Sequence, residues 1–202
     1  MSTGPKAMRR LSARLIKNMR QLAGDEDVIP LIGEALSQVR GRTVRLRKAA
    51  FPPMTASGLW VDRTRHDLIV YEQNTEPEHQ LVIIGHEAWH MFQGHCNHAI
   101  THGPAASRAL PSEETANLAR LVAAVSDADD AYMPLTDRTD AALHYAARSD
   151  TRTVDEELQA EHFGMRLATH LQMALRQARS SAHPQEVSGR IGASMAHRFG
   201  QS

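Results

Sequence analysis

Residues 75–98 read TEPEHQLVIIGHEAWHMFQGHCNH, which places four histidines within and just after an apolar run. Thr75 as N-cap, Pro77 in the first turn and Glu78 three residues after the cap form a capping box, in which two orphan backbone donors are satisfied reciprocally. Gly94 is the expected stop, so the spacing predicts a helix of about 18 residues. On such a helix, residues four apart stack with Cβ atoms roughly 5–6 Å apart, and His86 and His90 can aim both imidazoles at one point. Glu87 lies about 100° further round, where its carboxylate can reach past the imidazoles without joining them. Residues 86–90 therefore spell H-E-x-x-H on a helix. In that pattern two nitrogens hold a zinc ion, and the carboxylate takes the proton of a metal-bound water that ionises near neutral pH.

A catalytic zinc keeps three protein ligands and one open position, so a third ligand is needed. A histidine six residues beyond His90 would fall at Cys96, with Gln93 where a glycine should stand, so that peptidase pattern is absent. His95, His98 and His102 are nearby alternatives, although His95 would sit across a continuing helix from His90. The preferred source is DEELQAEHFGMRLATH, residues 155–170, within a last helix predicted from Val154 to Arg179. Glu157 and Glu161 share a face there with Ala160, Gly164 and Ala168. Glycine inside a helix costs about 1 kcal/mol relative to alanine. A glycine on a stripe of small side chains beside two carboxylates thus points to close helix–helix approach, which metal–ligand bonds of about 2 Å demand. Glu157 is read as the ligand and Glu161 as an acceptor that steadies a histidine N–H, with the reverse assignment one turn away. Leu158, Phe163, Leu167 and Leu171 are expected to pack into the core from the other face.

At 202 residues, one domain with appendages is expected: a basic helical pair over 1–42, a core over 43–175 containing an insert at 101–150, and a helical tail over 176–202. Apolar residues make up 42% and aromatics 4%, so the core must be mostly aliphatic side chains packing helix on helix. Helices are predicted from Met8 to Ala23 and from Val28 to Val39. TVRLRKA alternates apolar and basic residues as a strand, and LWVD and DLIVYE form a hairpin about RTRH. The fold class is therefore α+β, mainly helical, with a small three-stranded sheet preceding the histidine helix.

Cys96 is the single cysteine, and the first 24 residues lack the apolar stretch of a secretory leader, so the cytoplasm is the expected location. No run approaches the roughly 18 apolar residues a membrane span needs. Residues 1–48 carry eleven Lys and Arg against four Asp and Glu, while the remainder carries twelve against nineteen. That basic quarter reads as the solvated face of a helix pair. Without a helix-turn-helix signature, nucleic acid is the least expected partner.

The chain resembles the ImmA/IrrE family of metallopeptidase-like proteins, zincins whose third ligand is a glutamate. The resemblance rests on the strand pair GLWVD and DLIVYE, the helix LVIIGHEAWHMF, and EELQAEHFG, which is similar to that family's E-x-x-A-x-x-F-A/G pattern, and it covers about residues 43–175. It implies a zincin-like fold, Zn2+ at His86, His90 and Glu157, and Glu87 as general base. It also implies a protein or peptide substrate such as a helix-turn-helix regulator, and some members are toxin components of toxin–antitoxin pairs. The expected activity is a zinc metallopeptidase acting on a narrow set of protein partners. The alternative is a non-catalytic zinc-containing, toxin-like or regulatory binding module. His144 and Tyr145, in AALHYAARS between the two ligand helices, are candidate transition-state donors by position. Trp60 and Trp89 are expected in the core, and GLWVD is the strand expected to hold an extended substrate.

Overall fold

The computed structural model describes residues 4–20, 27–53, 56–63, 65–94, 117, 120, 121, 124, 125 and 151–182, the side chains of the last helix from 154 to 177. Among the described residues, the elements seen whole are four helices and a three-stranded sheet in the order α1 (Pro5–Asn18), α2 (Val28–Arg40), β1 (Thr43–Ala49), β2 (Gly58–Asp62), β3 (His66–Glu72), α3 (Pro77–Gln93) and α4 (Thr151–Ala182). The architecture is mixed α+β, as the hydrophobic periods predict. No helix among the described residues is long and apolar enough to cross a membrane.

Local chemistry explains the helix ends. Asp27 caps α2 by accepting from the Ile29 amide at 3.0 Å, and Gly41 ends it in the left-handed region at φ 78°. α1 begins earlier than its apolar spacing indicates, because Pro5 occupies the first turn, and it ends at Asn18. α3 departs from the predicted start in one respect. Its N-cap is Glu76, not Thr75, and no side chain bonds the cap. Pro77 accounts for this, since the residue before a proline is pushed into extended backbone and so takes the cap position, here with ψ 145°. Gly94 closes α3 at φ 67° as expected.

The strand order is β1-β3-β2, with β1 parallel and β2 antiparallel to β3. β2 therefore lies at an edge. Alternation divides the sheet cleanly: Val44, Trp60, Ile69 and Tyr71 face α2 and α3, while Leu59, Val61, Leu68 and Val70 face the other way, toward Phe51, Leu121 and Val125. Both tryptophans are core residues. The larger cluster joins all four helices to one sheet face, with Leu36, Ile84, Trp89 and Phe163 fully buried in it.

Two polar features pin this core. Asp67 is completely buried on the α3 side of the sheet, where it accepts from Arg40 at 3.0 Å and from the Trp60 indole at 2.9 Å, with Arg42 at 3.5 Å. Arg40 also donates to the Met91 carbonyl at 3.1 Å, tying α2 to the last turn of α3. The buried Ser12 hydroxyl lies 2.8 Å from His170 Nδ1, a hydrogen bond that joins α1 to α4. Phe163, Leu167 and Leu171 are buried as expected, but Leu158 is 54% exposed. At about 100° per residue Leu158 lies roughly 140–220° round α4 from the other three, on the side away from α3, although its neighbour Ala160 is buried.

Candidate metal centre

α3 and α4 run antiparallel, and their backbones touch. A Cβ built on Gly85 would lie 2.8 Å from Gly164 Cα, and one built on Gly164 would lie 2.4 Å from the Val82 carbonyl oxygen. Only glycine at both positions allows this approach. Trp89 and Phe163 stack beside the crossing with ring centroids 5.1 Å apart, at a tilt of 32°. Further along, the same approach places Glu157 opposite His86 and His90.

The three side chains converge as the sequence predicts. His86 Nε2 and His90 Nε2 are 3.1 Å apart, and the Glu157 carboxylate oxygens lie 3.3 Å from the first and 3.4 Å from the second. Bonds of about 2.0–2.1 Å arranged tetrahedrally have ligand–ligand edges of about 3.3–3.4 Å. The imidazole pair at 3.1 Å is slightly closer than such an edge, and each ring faces a different Glu157 oxygen, Oε2 at 3.3 Å from His86 and Oε1 at 3.4 Å from His90, so the three residues are grouped closely enough to hold a small divalent ion after a small adjustment. Two imidazoles and one carboxylate are a donor set that could hold a divalent metal ion. The side chain of His90 is 9% exposed, that of His86 23% and that of Glu157 32%, so the cluster is walled on one side and faces solvent on the other.

The electrostatics of the metal-free cluster follow from this convergence. Hydrogen bonds from His86 and His90 hold the Glu157 carboxyl well below the usual carboxylate range, against the opposing effect of burial. Burial opposes charge on His86, but its bond to Glu157 and the fields of Glu87, Glu157 and Glu161 outweigh that and raise its pKa. Glu161 contributes only its charge. It is exposed and makes no hydrogen bond to either imidazole among the described residues.

Glu87 behaves differently from Glu157 because its surroundings differ. Burial pushes its carboxyl pKa up, while the two imidazoles and a hydrogen bond from the Trp60 backbone amide pull it back. That amide belongs to the free edge of the sheet. The Glu72 amide donates to Ser57 and the Arg63 amide to His66, so by antiparallel alternation Leu59 and Val61 point their backbone groups at β3. Gly58, Trp60 and Asp62 point theirs outward. Gly58 makes room for the carboxylate, since a Cβ there would sit 2.7 Å from Glu87 Oε1 and 2.6 Å from Ile83 Cγ2.

The contacts of Gly58 and the Trp60 amide with Glu87 escape sequence reading. A missing side chain and a backbone N–H leave no motif, although the choice of GLWVD as the substrate strand pointed to the same place. His144 and Tyr145, together with His95, His98 and His102, lie outside the described residues. No protein-family model, curated protein or solved structure matches the chain.

Proposed function

We propose that this protein is a zincin-like, zinc-dependent metallopeptidase that hydrolyses peptide bonds in a narrow set of protein partners, a transcriptional regulator among them. The observation that carries the reading is the cluster of His86, His90 and Glu157, in which the two Nε2 atoms are 3.1 Å apart and each lies 3.3–3.4 Å from one Glu157 oxygen, open to solvent and with the Glu87 carboxylate next to it. The resemblance of the helix and glutamate motifs to the ImmA/IrrE family supports the same conclusion and supplies the class of partner.

The chain's residues divide the work. His86 and His90, fixed a helical turn apart, and Glu157 from the facing helix would hold the ion. Zinc, when bound, supplies Lewis acidity and a water that ionises near neutral pH. Glu87 accepts a proton on its carboxylate, and the burial that raises its pKa brings it nearer the neutral range in which a general base also returns the proton to a leaving group. The Trp60 amide and the space left by Gly58 hold that carboxylate in place. An extended peptide can pair with the outward groups of β2 other than the Trp60 amide, which Glu87 occupies, and so lie alongside the cluster.

The test uses the full chain, loaded with zinc and incubated with a proteome-derived peptide library, with new N-termini read by mass spectrometry. Wild type should bind one zinc per chain and generate new termini, whereas Glu87→Gln should bind the same zinc and generate none. Stoichiometric zinc with no cleavage by wild type would favour the non-catalytic binding module, and cleavage unchanged in Glu87→Gln would remove Glu87 from the mechanism.

A further inference from the structure

α1 carries its cations on one side. At 100° per residue, Lys6, Arg9, Arg10, Arg14 and Lys17 fall within about 140° of arc, and all five are exposed. The helix has no carboxylate, and none of the five makes an ion pair among the described residues. The opposite side is committed to the core: Met8, Leu11 and Leu15 are buried, and Ser12 is bonded to His170. α1 is thus an orientationally fixed basic ridge, about 16 Å long from Lys6 to Lys17 at 1.5 Å per residue.

We propose that this ridge binds the phosphate backbone of nucleic acid without regard to base sequence. The alternatives are disfavoured by what the ridge lacks. A bilayer-binding helix needs a free apolar face, and here that face is in the core. Protein interfaces centre on aromatic or aliphatic anchors and are depleted in lysine, but between the cations α1 exposes only Pro5 and Ala13. Phosphate binding needs neither, because its free energy comes from cations that displace condensed counterions. The absence of a helix-turn-helix signature, which makes nucleic acid unexpected from sequence, bears on base reading in the groove and not on backbone binding.

This surface is independent of the metal centre. His170, the residue of α4 bonded to α1, lies thirteen residues beyond Glu157, about 20 Å along the helix. Substitutions on the ridge therefore leave the ligand cluster untouched, and the proposal stands whether or not the chain is a peptidase.

The experiment is fluorescence anisotropy of the full chain with a labelled DNA duplex of arbitrary sequence, about 20 base pairs long, titrated at several salt concentrations. Five neutralised phosphates predict a log–log salt slope of about −4.5, or about a 500-fold loss of affinity between about 50 and 200 mM salt. Arg10→Ala/Arg14→Ala should make the slope shallower by about 2, with unchanged zinc content and helical circular dichroism, while Arg10→Lys/Arg14→Lys should restore it. Absence of binding at low salt, or a slope indifferent to the alanine pair, overturns the proposal. So does tighter binding to polyglutamate or to phosphatidylserine vesicles than to the duplex, results that would assign the ridge to an acidic protein or a membrane.

Discussion

Gly164→Ala adds one methyl group where α3 and α4 meet backbone to backbone. Its Cβ would lie 2.4 Å from the Val82 carbonyl oxygen and 3.1 Å from the His86 nitrogen, where ordinary contact begins at 3.4 Å. The shortfall to the oxygen is about 1 Å. That oxygen cannot swing aside, because Val82 and His86 are four apart in α3 and share a helical hydrogen bond, so the methyl group drives at the bond itself. α4 must withdraw, carrying Glu157 with it. A metal site tolerates about 0.2 Å of error in ligand distance, several times less than this displacement. Overpacking of this kind costs about 1–3 kcal/mol, offset by at most about 1 kcal/mol from alanine's better helix propensity. The expected result is a Tm lowered by several degrees, at about 2–4 °C per kcal/mol for a chain of this size, together with zinc affinity reduced at least about tenfold. Thermal unfolding with and without chelator, and zinc competition against a chromophoric chelator, measure the two effects. Gly33→Ala is the control. It also lies inside a helix, but its Cβ would meet nothing closer than Leu46 Cδ1 at 3.6 Å, so it should keep its zinc affinity and gain up to about 1 kcal/mol. If Gly164→Ala matched wild type in both measurements, the close approach of the two helices would not be what positions Glu157.

Glu157→Ala should lose stoichiometric zinc while Glu161→Ala keeps it, as read by metal analysis of the purified chains, and the opposite result would move the third ligand by one turn. The metal-free protein should show a stability contribution from the His86–Glu157 pair that is complete between about pH 4.5 and 6.5, the ordinary values of the two groups. It should fade as pH rises through the raised His86 pKa, and as pH falls through the lowered Glu157 pKa. Tm measured against pH in chelator would reveal this window, and a flat profile would refute the pairing. Because zinc must displace the proton that His86 holds, zinc affinity should climb with pH across the same titration, and calorimetry in buffers of different ionisation enthalpy should detect proton release. Asp67→Ala should cost about 3 kcal/mol, since it leaves the Trp60 indole N–H and two guanidinium groups without their buried acceptor, whereas Asp67→Asn should cost less. Equal Tm values for both variants and wild type would show that Asp67 does not anchor the sheet to α2.

The parts of this fold that follow local rules were legible, and the parts set by one backbone meeting another were not. Period-two alternation over TVRLRKA marks a strand at the residues that form β1, and the apolar runs around RTRH mark the hairpin of β2 and β3. No local signal says that β1 pairs with β3, yet that pairing puts β2 at the edge of the sheet among the described residues and turns the Trp60 amide toward Glu87. The ligands show the same division. Zinc chemistry demands particular side chains at helical spacing, so His86 and His90 announce themselves, and Glu157 is found because the costly Gly164 lies on the same small-residue stripe. Gly85 is embedded in an apolar run, and its need for a bare Cα becomes visible only when the backbone of Gly164 is seen 2.8 Å from where its Cβ would be. Leu158 is exposed for a simpler reason, since at about 100° per residue it sits on the opposite side of α4 from Leu167, and grouping it with the core-facing residues misreads the helical period. The motif therefore names the candidate metal ligands, while Gly85, Gly164 and Gly58, through atoms they lack, decide whether His86, His90, Glu157 and Glu87 can meet.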